Sequence, residues 1–339
     1  MKRLFFVNVI IATLLSSSAF ASVYTVNNAI PSPGQYTTVA AAAAAAATGD
    51  TLMISATDIS YGNVTLDKAL TILGPGWVVS GGGVSRVAIF GIITFNSSNT
   101  SFIGIRAISI ISITASATEL SNIKIHRCII DVSVNLNSED WNNSSIEGCI
   151  FSEFNGFNIT SNSGNIVLSG SIIRNNVFNG FLYYISNSVI SNNIFLGNTA
   201  SPTQIVSSGV TNNTFSGNIA VGRAINTVVA SNSVTGNLSW GGTGAWVQSG
   251  NLTNVDPQFT SYTQNTIHNW ANNYTLLVTS PAIGTGPAGT DIGVYGGDGV
   301  FRMDGEPAIP IVRAVNVPGG GVVPANATFN INVISVAHE

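Results

Sequence analysis

Charged residues make up only 8% of this 339-residue chain, and the densest group of them lies between Glu119 and Glu153. Glu119, Lys124, His126, Arg127 and Asp131 come first; Glu139, Asp140, Glu147 and Glu153 follow, beside Trp141. Two reactions use such a set. Elimination from a polyuronide takes a base for the proton next to the carboxylate and a cation for the charge that develops there. Lys124, His126 and Arg127 are suitable residue types, and nearby carboxylates suit Ca²⁺, the only cofactor this reading would bring. Hydrolysis of a glycosidic bond takes two carboxylates across the scissile bond, a role open to Glu147 and Glu153. The bland reading competes with both. Outward strand positions are polar in any case, and a sparse group of charges is commonly a solvated face.

Aromatic residues offer binding without catalysis. Trp141, Tyr183, Tyr184, Trp240 and Trp246 fall in or near loops, where flat rings stack on sugar faces. The competing role is packing beneath loops, the usual fate of large aromatics. Adjacent Tyr183 and Tyr184 cannot both point inward on a strand, so at least one is expected outside. Cys128 and Cys149 are the two cysteines; they are read either as buried thiols or as a strained bridge, and two sulfurs alone make a poor metal site. No metal ligand set is expected. His268 and His338 stand isolated. There is no phosphate-binding loop, nucleophile elbow or zinc-protease phrase.

The elements that must position these residues announce themselves by repetition. Ile173-Arg-Asn-Asn176-Val-Phe-Asn-Gly180 returns as Ile190-Ser-Asn-Asn193-Ile-Phe-Leu-Gly197, as Val210-Thr-Asn-Asn213-Thr-Phe-Ser-Gly217 and as Val229-Ala-Ser-Asn232-Ser-Val-Thr-Gly236. Ile125-His-Arg-Cys128 and Ile146-Glu-Gly-Cys149 put cysteine in the same slot, with slot spacings of 21, 27, 17, 20 and 19 residues. A period near twenty, built of β-branched runs and turn residues, predicts a solenoid rather than a β-sandwich. In a parallel β-helix equivalent residues stack roughly 4.8 Å apart, so Cys128, Cys149, Asn176, Asn193, Asn213 and Asn232 are expected to form one structural ladder at a bend.

At these phrases the chain resembles the right-handed parallel β-helix proteins of the pectate-lyase-like group, in an uncharacterised bacterial branch. Gln35-Tyr-Thr-Thr-Val-Ala, the alanine run and Gly49-Asp-Thr-Leu-Met-Ile54 are similar to that group's capping helix and first strand. Tyr61-Gly-Asn-Val-Thr-Leu-Asp-Lys68-Ala-Leu-Thr-Ile-Leu-Gly74 is similar to its second coil. Asp256-Pro-Gln-Phe259, Ser280-Pro-Ala-Ile-Gly284 and Asp291-Ile-Gly-Val-Tyr-Gly-Gly297 are similar to its closing segment. The resemblance implies fold and export. It does not imply activity: the group's clustered calcium-binding aspartates and basic catalytic motif are not evident, and the fold hosts many functions.

Composition agrees: 35 glycines, 45% hydrophobic residues and little charge suit an extended β protein. Residues 1–21 read as a secretory signal, with Lys2 and Arg3, an apolar core from Leu4 to Leu15, and Ala19-Phe20-Ala21 for cleavage. Loss of Lys2 and Arg3 takes the eleven basic residues to nine against fifteen acidic ones, a net charge of −6. With no basic run, nucleic acid is excluded as a partner, and no later stretch is long and apolar enough to span a bilayer. Thr37 or Thr38 is expected to cap a helix through Ala47 that plugs the solenoid. The predicted organisation is an N-terminal strand and helix over 22–50, the β-helix over 51–300, and a small two-stranded appendage over 301–339. The expected function is a secreted or surface-bound monomer that binds polysaccharide; a lyase or hydrolase using residues 119–153, and a structural or adhesive protein, are the alternatives.

Overall fold

The computed structural model describes residues 21–80, 83–113, 119–137, 139–152, 157–160, 166–197, 204–206, 209–225, 231–246, 248–264, 266–298, 301–307, 311–316 and 332–336. The expected signal segment, residues 1–21, therefore lies outside the described residues but for Ala21. Among them the chain is a parallel β-helix with a ten-stranded, an eleven-stranded and a five-stranded sheet running along its axis. One coil shows the pattern. Leu120–Ser121 belongs to the five-stranded sheet, Lys124–His126 to the ten-stranded sheet and Ile129–Asn135 to the eleven-stranded sheet. The next coil repeats it with Trp141–Asn142, Ser145–Glu147 and Ile150–Phe151, each parallel to its counterpart. This is the right-handed class that parallel crossovers adopt.

Two corners in each coil make the turns. Asn122, Asn143, Asn187 and Asn212 hold left-handed backbone, φ 50° to 57°, between the five- and ten-stranded sheets. Arg127, Gly148, Asn175, Asn192, Gly217 and Gly236 do so at the second corner, φ 53° to 66°. Glycine and asparagine tolerate that region, which is why the phrases carry them. The residue after each corner turns inward and bonds the next coil. Asn176 Nδ2 donates to Asn193 Oδ1 at 3.0 Å, Asn193 to Asn218 at 3.0 Å, Asn218 to Asn237 at 2.9 Å and Asn237 to Asn251 at 3.0 Å. Cys149 leads into this ladder, its amide donating to Asn176 Oδ1 at 2.8 Å. Cys128 and Cys149 are buried free thiols, and burial pushes the Cys149 thiol up.

The single ladder expected from the phrases is thus corrected to two. Asn213 and Asn232 belong to the other corner, where the Ser188 amide donates to Asn213 Oδ1 at 2.9 Å and the Asn213 amide to Asn232 Oδ1 at 2.8 Å. Both corners place a left-handed residue before an inward Asn, so Val210-Thr-Asn-Asn213 imitates Ile190-Ser-Asn-Asn193 although Ile190 pairs with Phe215.

The bore is filled by the middle residue of each strand. Ile125, Ile146, Ile173, Ile190 and Phe215 stack in the ten-stranded sheet, all essentially inaccessible. Phe151, Phe178 and Phe195 stack in the eleven-stranded sheet with centroids 4.7 and 5.2 Å apart. That sheet is apolar on both faces. Its outward column Ile129, Ile150, Val177, Ile194, Ile219 and Leu238 is buried by Tyr274, Ala282, Ile292, Val294 and Phe301. The closing segment therefore folds back over the sheet and does not add coils, which explains the paired apolar residues Ile129-Ile130 and Ile194-Phe195.

Part of that segment, Pro287 to Glu306, runs as a strap along the second corner. The Pro287 ring sits against Gly236, and the Gly293 amide donates to the Gly217 carbonyl at 2.8 Å. Asn192 Nδ2 donates to the Asp291 carbonyl at 3.2 Å, and Asn175 Nδ2 to the Val294 carbonyl at 2.8 Å. Arg127 Nη1 donates to the Glu306 carbonyl at 2.6 Å, and Trp77 Nε1 to the Met303 carbonyl at 2.6 Å. Phe301 and Glu306 are buried, so the packed body extends past Val300 to Glu306. Beyond it Ile311–Asn316 pairs antiparallel with Asn332–Val336, the two-stranded appendage.

Both ends of the ten-stranded sheet are closed by an amide side chain. At the first edge Gln35 Oε1 accepts from the Thr25 amide at 2.9 Å. At the last, Gln248 Oε1 accepts from the Val234 amide at 2.8 Å and its Nε2 donates to the Asn232 carbonyl at 3.1 Å, imitating a further strand. Open edges would otherwise template association. The helix, Val39–Ala45, is shorter than expected. Thr38 Oγ1 accepts from the Ala41 amide, Val39, Ala42 and Ala43 are buried, and Lys68 Nζ satisfies the carbonyls of Ala43, Ala44 and Ala46 at 2.8 to 3.1 Å.

His268 is not incidental. It lies buried in the closing segment, Nδ1 2.8 Å from the Tyr274 hydroxyl, and burial lowers its pKa to about 4. In the unfolded chain an ordinary His titrates near 6.5. Between these values the unfolded state holds the extra proton, so stability is complete above about pH 6.5 and falls toward pH 4, by roughly 3 kcal/mol from this group. Urea midpoints at pH 7 and pH 4.5 check this. The acid-induced drop is expected to be smaller in His268→Gln than in the wild type.

Candidate functional site

The closing segment covers the outward column from Ile129 to Leu238 on the eleven-stranded sheet, and the ten- and five-stranded sheets meet solvent. Along the ten-stranded sheet two outward columns flank the buried one. The first reads Thr71, Ser101, Lys124, Ser145, Ile172, Val189 and Thr214; the second reads Ile103, His126, Glu147, Arg174, Ser191 and Ser216. Four of the five proposed catalytic residues are described, and three share this face: Lys124, His126 and Glu147. His126 Nε2 lies 2.6 Å from Ser145 Oγ and 3.6 Å from Glu147 Oε1, while Glu147 Oε2 accepts from Arg174 Nε at 2.8 Å. Burial depresses the His126 pKa more than Glu147 raises it. Lys124 is exposed on the neighbouring column.

Arg127 departs from the set. It occupies the corner itself, φ 53°, and its guanidinium is directed to the strap, where it holds the Glu306 carbonyl. A corner residue leaves the sheet's alternation, so adjacency to His126 in sequence does not place it on the same face. Glu153 lies outside the described residues. Arg174 is the residue that sequence reasoning missed. It was legible: the position after the repeated Ile reads His126, Glu147, Arg174 in three consecutive phrases.

This cluster does not make a nucleophilic triad. Ser145 and Glu147 both approach His126 Nε2, whereas a triad needs the acid on the opposite ring nitrogen. Nor do the carboxylates converge on a cation site. Asp131 pairs with Arg106 at 2.9 Å, Asp140 Oδ1 accepts from the Val167 amide at 2.7 Å, Glu139 is buried, and Glu147 is engaged by Arg174. Among the described residues no three His, Cys, Asp or Glu side chains are grouped to hold a metal.

Beside Lys124 the surface dips. A groove of about 330 Å³ runs between the asparagine corner and the first outward column, lined by Asn99, Ser101, Asn122, Lys124, Asn143 and Ser145. Each coil contributes one corner amide and one hydroxyl or amine two residues on. Asn122 Nδ2 donates to Asn99 Oδ1 at 3.0 Å, which fixes the amides edge to edge. Further along, Gly170, Ile172 and Val189 replace these polar groups, and the two apolar side chains are exposed.

The aromatic set divides. Trp141 takes the inward position of the five-stranded sheet between Leu120 and Leu168, fully buried with its ring 5.4 Å from Phe95. It is removed from the surface candidates because the inward alternation of that strand begins at it. Trp246 is buried as well, and Trp240 packs half-buried against the cluster under the closing segment. Tyr183 and Tyr184 stay at the surface, centroids 3.9 Å apart, with Tyr184 in left-handed backbone and its ring over Gly209.

No protein-family model matches this chain, nor does any curated protein; its class is defined by the parallel β-helix itself. No helix among the described residues is long and apolar enough to cross a membrane.

Proposed function

We propose that this chain is an exported, polysaccharide-binding member of the pectate-lyase-like β-helix group, acting outside the cell or at its surface, with an extended glycan lying in the asparagine-lined groove. The repetition of the groove's chemistry carries this reading. Asn99 with Ser101, Asn122 with Lys124, and Asn143 with Ser145 present like groups at successive coils, a step of roughly 4.8 Å. A small ligand has no use for such a series; a polymer of hydroxylated rings does, since amides and hydroxyls both donate and accept. Tyr183 and Tyr184 supply a stacking surface further along the solenoid.

Retardation of the purified chain in native gels cast with pectate, alginate, chondroitin or neutral glucans tests the reading. At least one polymer is expected to slow the wild type, and no retardation by any glycan would favour a structural or adhesive role. Where the polymer is acidic, Lys124→Ser is expected to weaken binding several-fold and to remove most of its salt dependence.

A lyase is the second reading, favoured by one observation: His126, its pKa lowered by burial, shares a strand with the exposed Lys124, a base beside a cation on the outward face. Ultraviolet absorbance of the same polymers incubated with the chain, with and without Ca²⁺, separates the two. A rising trace signals the unsaturated product; a flat trace beside retained binding contradicts the lyase reading.

A further inference from the structure

A second concavity lies at the opposite corner of the solenoid, where the end of the strap meets the first coils. The short antiparallel strands Val78–Ser80 and Gly83–Ser85 form one wall and Arg302 to Glu306 the other. The crevice between them has a volume of about 810 Å³, within the usual range for small-molecule sites. Pro75, Val78, Val79 and Met303 give it an apolar lining. Its charges are arranged unequally. Arg302 binds Asp304 at 2.7 Å and Glu306 at 3.0 Å, and Arg127, bonded to the Glu306 carbonyl, supplies the second positive charge beside these two carboxylates. Arg86, exposed on the same crevice, has no ion-pair partner among the described residues.

From this juxtaposition we propose that the crevice is a binding site for a small amphiphilic anion, a compact apolar or aromatic body with one carboxylate or sulfonate. The anionic head pairs with Arg86 and the body lies on Val78, Val79 and Met303. Nothing in the polysaccharide groove contributes to it, and its wall is the latch of the strap: Trp77 Nε1 holds the Met303 carbonyl, and the Trp77 amide donates to the Asp304 carbonyl at 2.7 Å. A ligand here therefore binds only the strapped form and stabilises it.

Titration of the full chain with 8-anilinonaphthalene-1-sulfonate, followed by its fluorescence, tests the site. Saturable 1:1 binding is expected. Arg86→Asn suits the left-handed backbone at this position, φ 53°, and is expected to weaken binding at least fivefold with an unchanged melting temperature. Val78→Ser is expected to weaken it by a smaller factor, and Lys124→Ser to leave it unchanged. Cinnamate should displace the probe and cinnamyl alcohol should not. Non-saturable binding, affinity indifferent to Arg86→Asn, or equal displacement by the alcohol would overturn the proposal.

Discussion

Asn193→Ala is expected to cost about 4 kcal/mol or more of unfolding free energy, most of a typical domain's margin. The side chain is fully buried and works in both directions along the ladder. Its Oδ1 accepts from the Asn176 amide and from Asn176 Nδ2, each at 3.0 Å, and its Nδ2 donates to the Ile173 carbonyl at 2.9 Å. Alanine strips the Asn176 amide of its acceptor, leaves Asn176 Nδ2 with only the Ile146 carbonyl, and removes the side-chain donor to the Ile173 carbonyl and to Asn218 Oδ1. An orphaned buried polar group costs about 1–3 kcal/mol, and these lie where no solvent reaches them. Asn187→Gly is the control. That asparagine is exposed at the other corner with left-handed backbone, φ 50°, so glycine should change stability by less than about 0.5 kcal/mol. Urea unfolding of both variants checks the contrast. Equal costs would mean that the corner conformation, and not the amide ladder, holds the coils.

Trp77→Ala is the second large effect, expected at about 3–5 kcal/mol, with release of the strap's far end. The ring is buried against Gly305 so closely that a Cβ there would fall 1.9 Å from the indole, and it packs edge-on to Trp270 at 6.4 Å. Removing it deletes the Nε1 bond to Met303 and empties the contact that seats Arg302 to Glu306. Gly305→Val should act from the other side. Its φ of 56° and the indole both exclude a branched side chain. Limited proteolysis gives the readout that stability alone does not. Both variants should be cut between Ala288 and Glu306 under conditions where the wild type is protected, while the coils from Leu120 to Trp240 stay intact. Protection of this segment in both variants would show that the corner contacts at Asn175 and Asn192 hold the strap unaided.

Much of this architecture was legible because stacking forces chemistry to repeat. The recurring Ile-x-Asn-Asn phrase marked the solenoid, the bends and the inward columns without any need for a template. Its register was not legible. Each coil turns two corners by the same device, so a strand of the five-stranded sheet, Val210-Thr, imitates one of the ten-stranded sheet, Ile190-Ser. Only the pairing of Ile190 with Phe215 resolves them. The strap was hidden for the opposite reason. From Pro287 to Glu306 its bonds run from backbone groups to corners far away in sequence, and such a segment leaves no periodicity. That in turn concealed the crevice beside Arg86 and the destination of Arg127. In the candidate groove the sequence showed the charges but not the asparagine corners as a surface, since their amides read as turn residues. Trp141 was misplaced because a two-residue strand carries too little alternation to say which residue faces in.

A glycan lying in the asparagine-lined groove is displaced when the groove is filled. Ser101→Trp and Ser145→Trp put bulk on outward positions at its floor without touching the bore. With whichever polysaccharide retards the wild type, both variants are expected to keep the wild-type melting temperature and to lose retardation. Full retardation by either properly folded variant would place the glycan elsewhere on the solenoid and contradict the assignment.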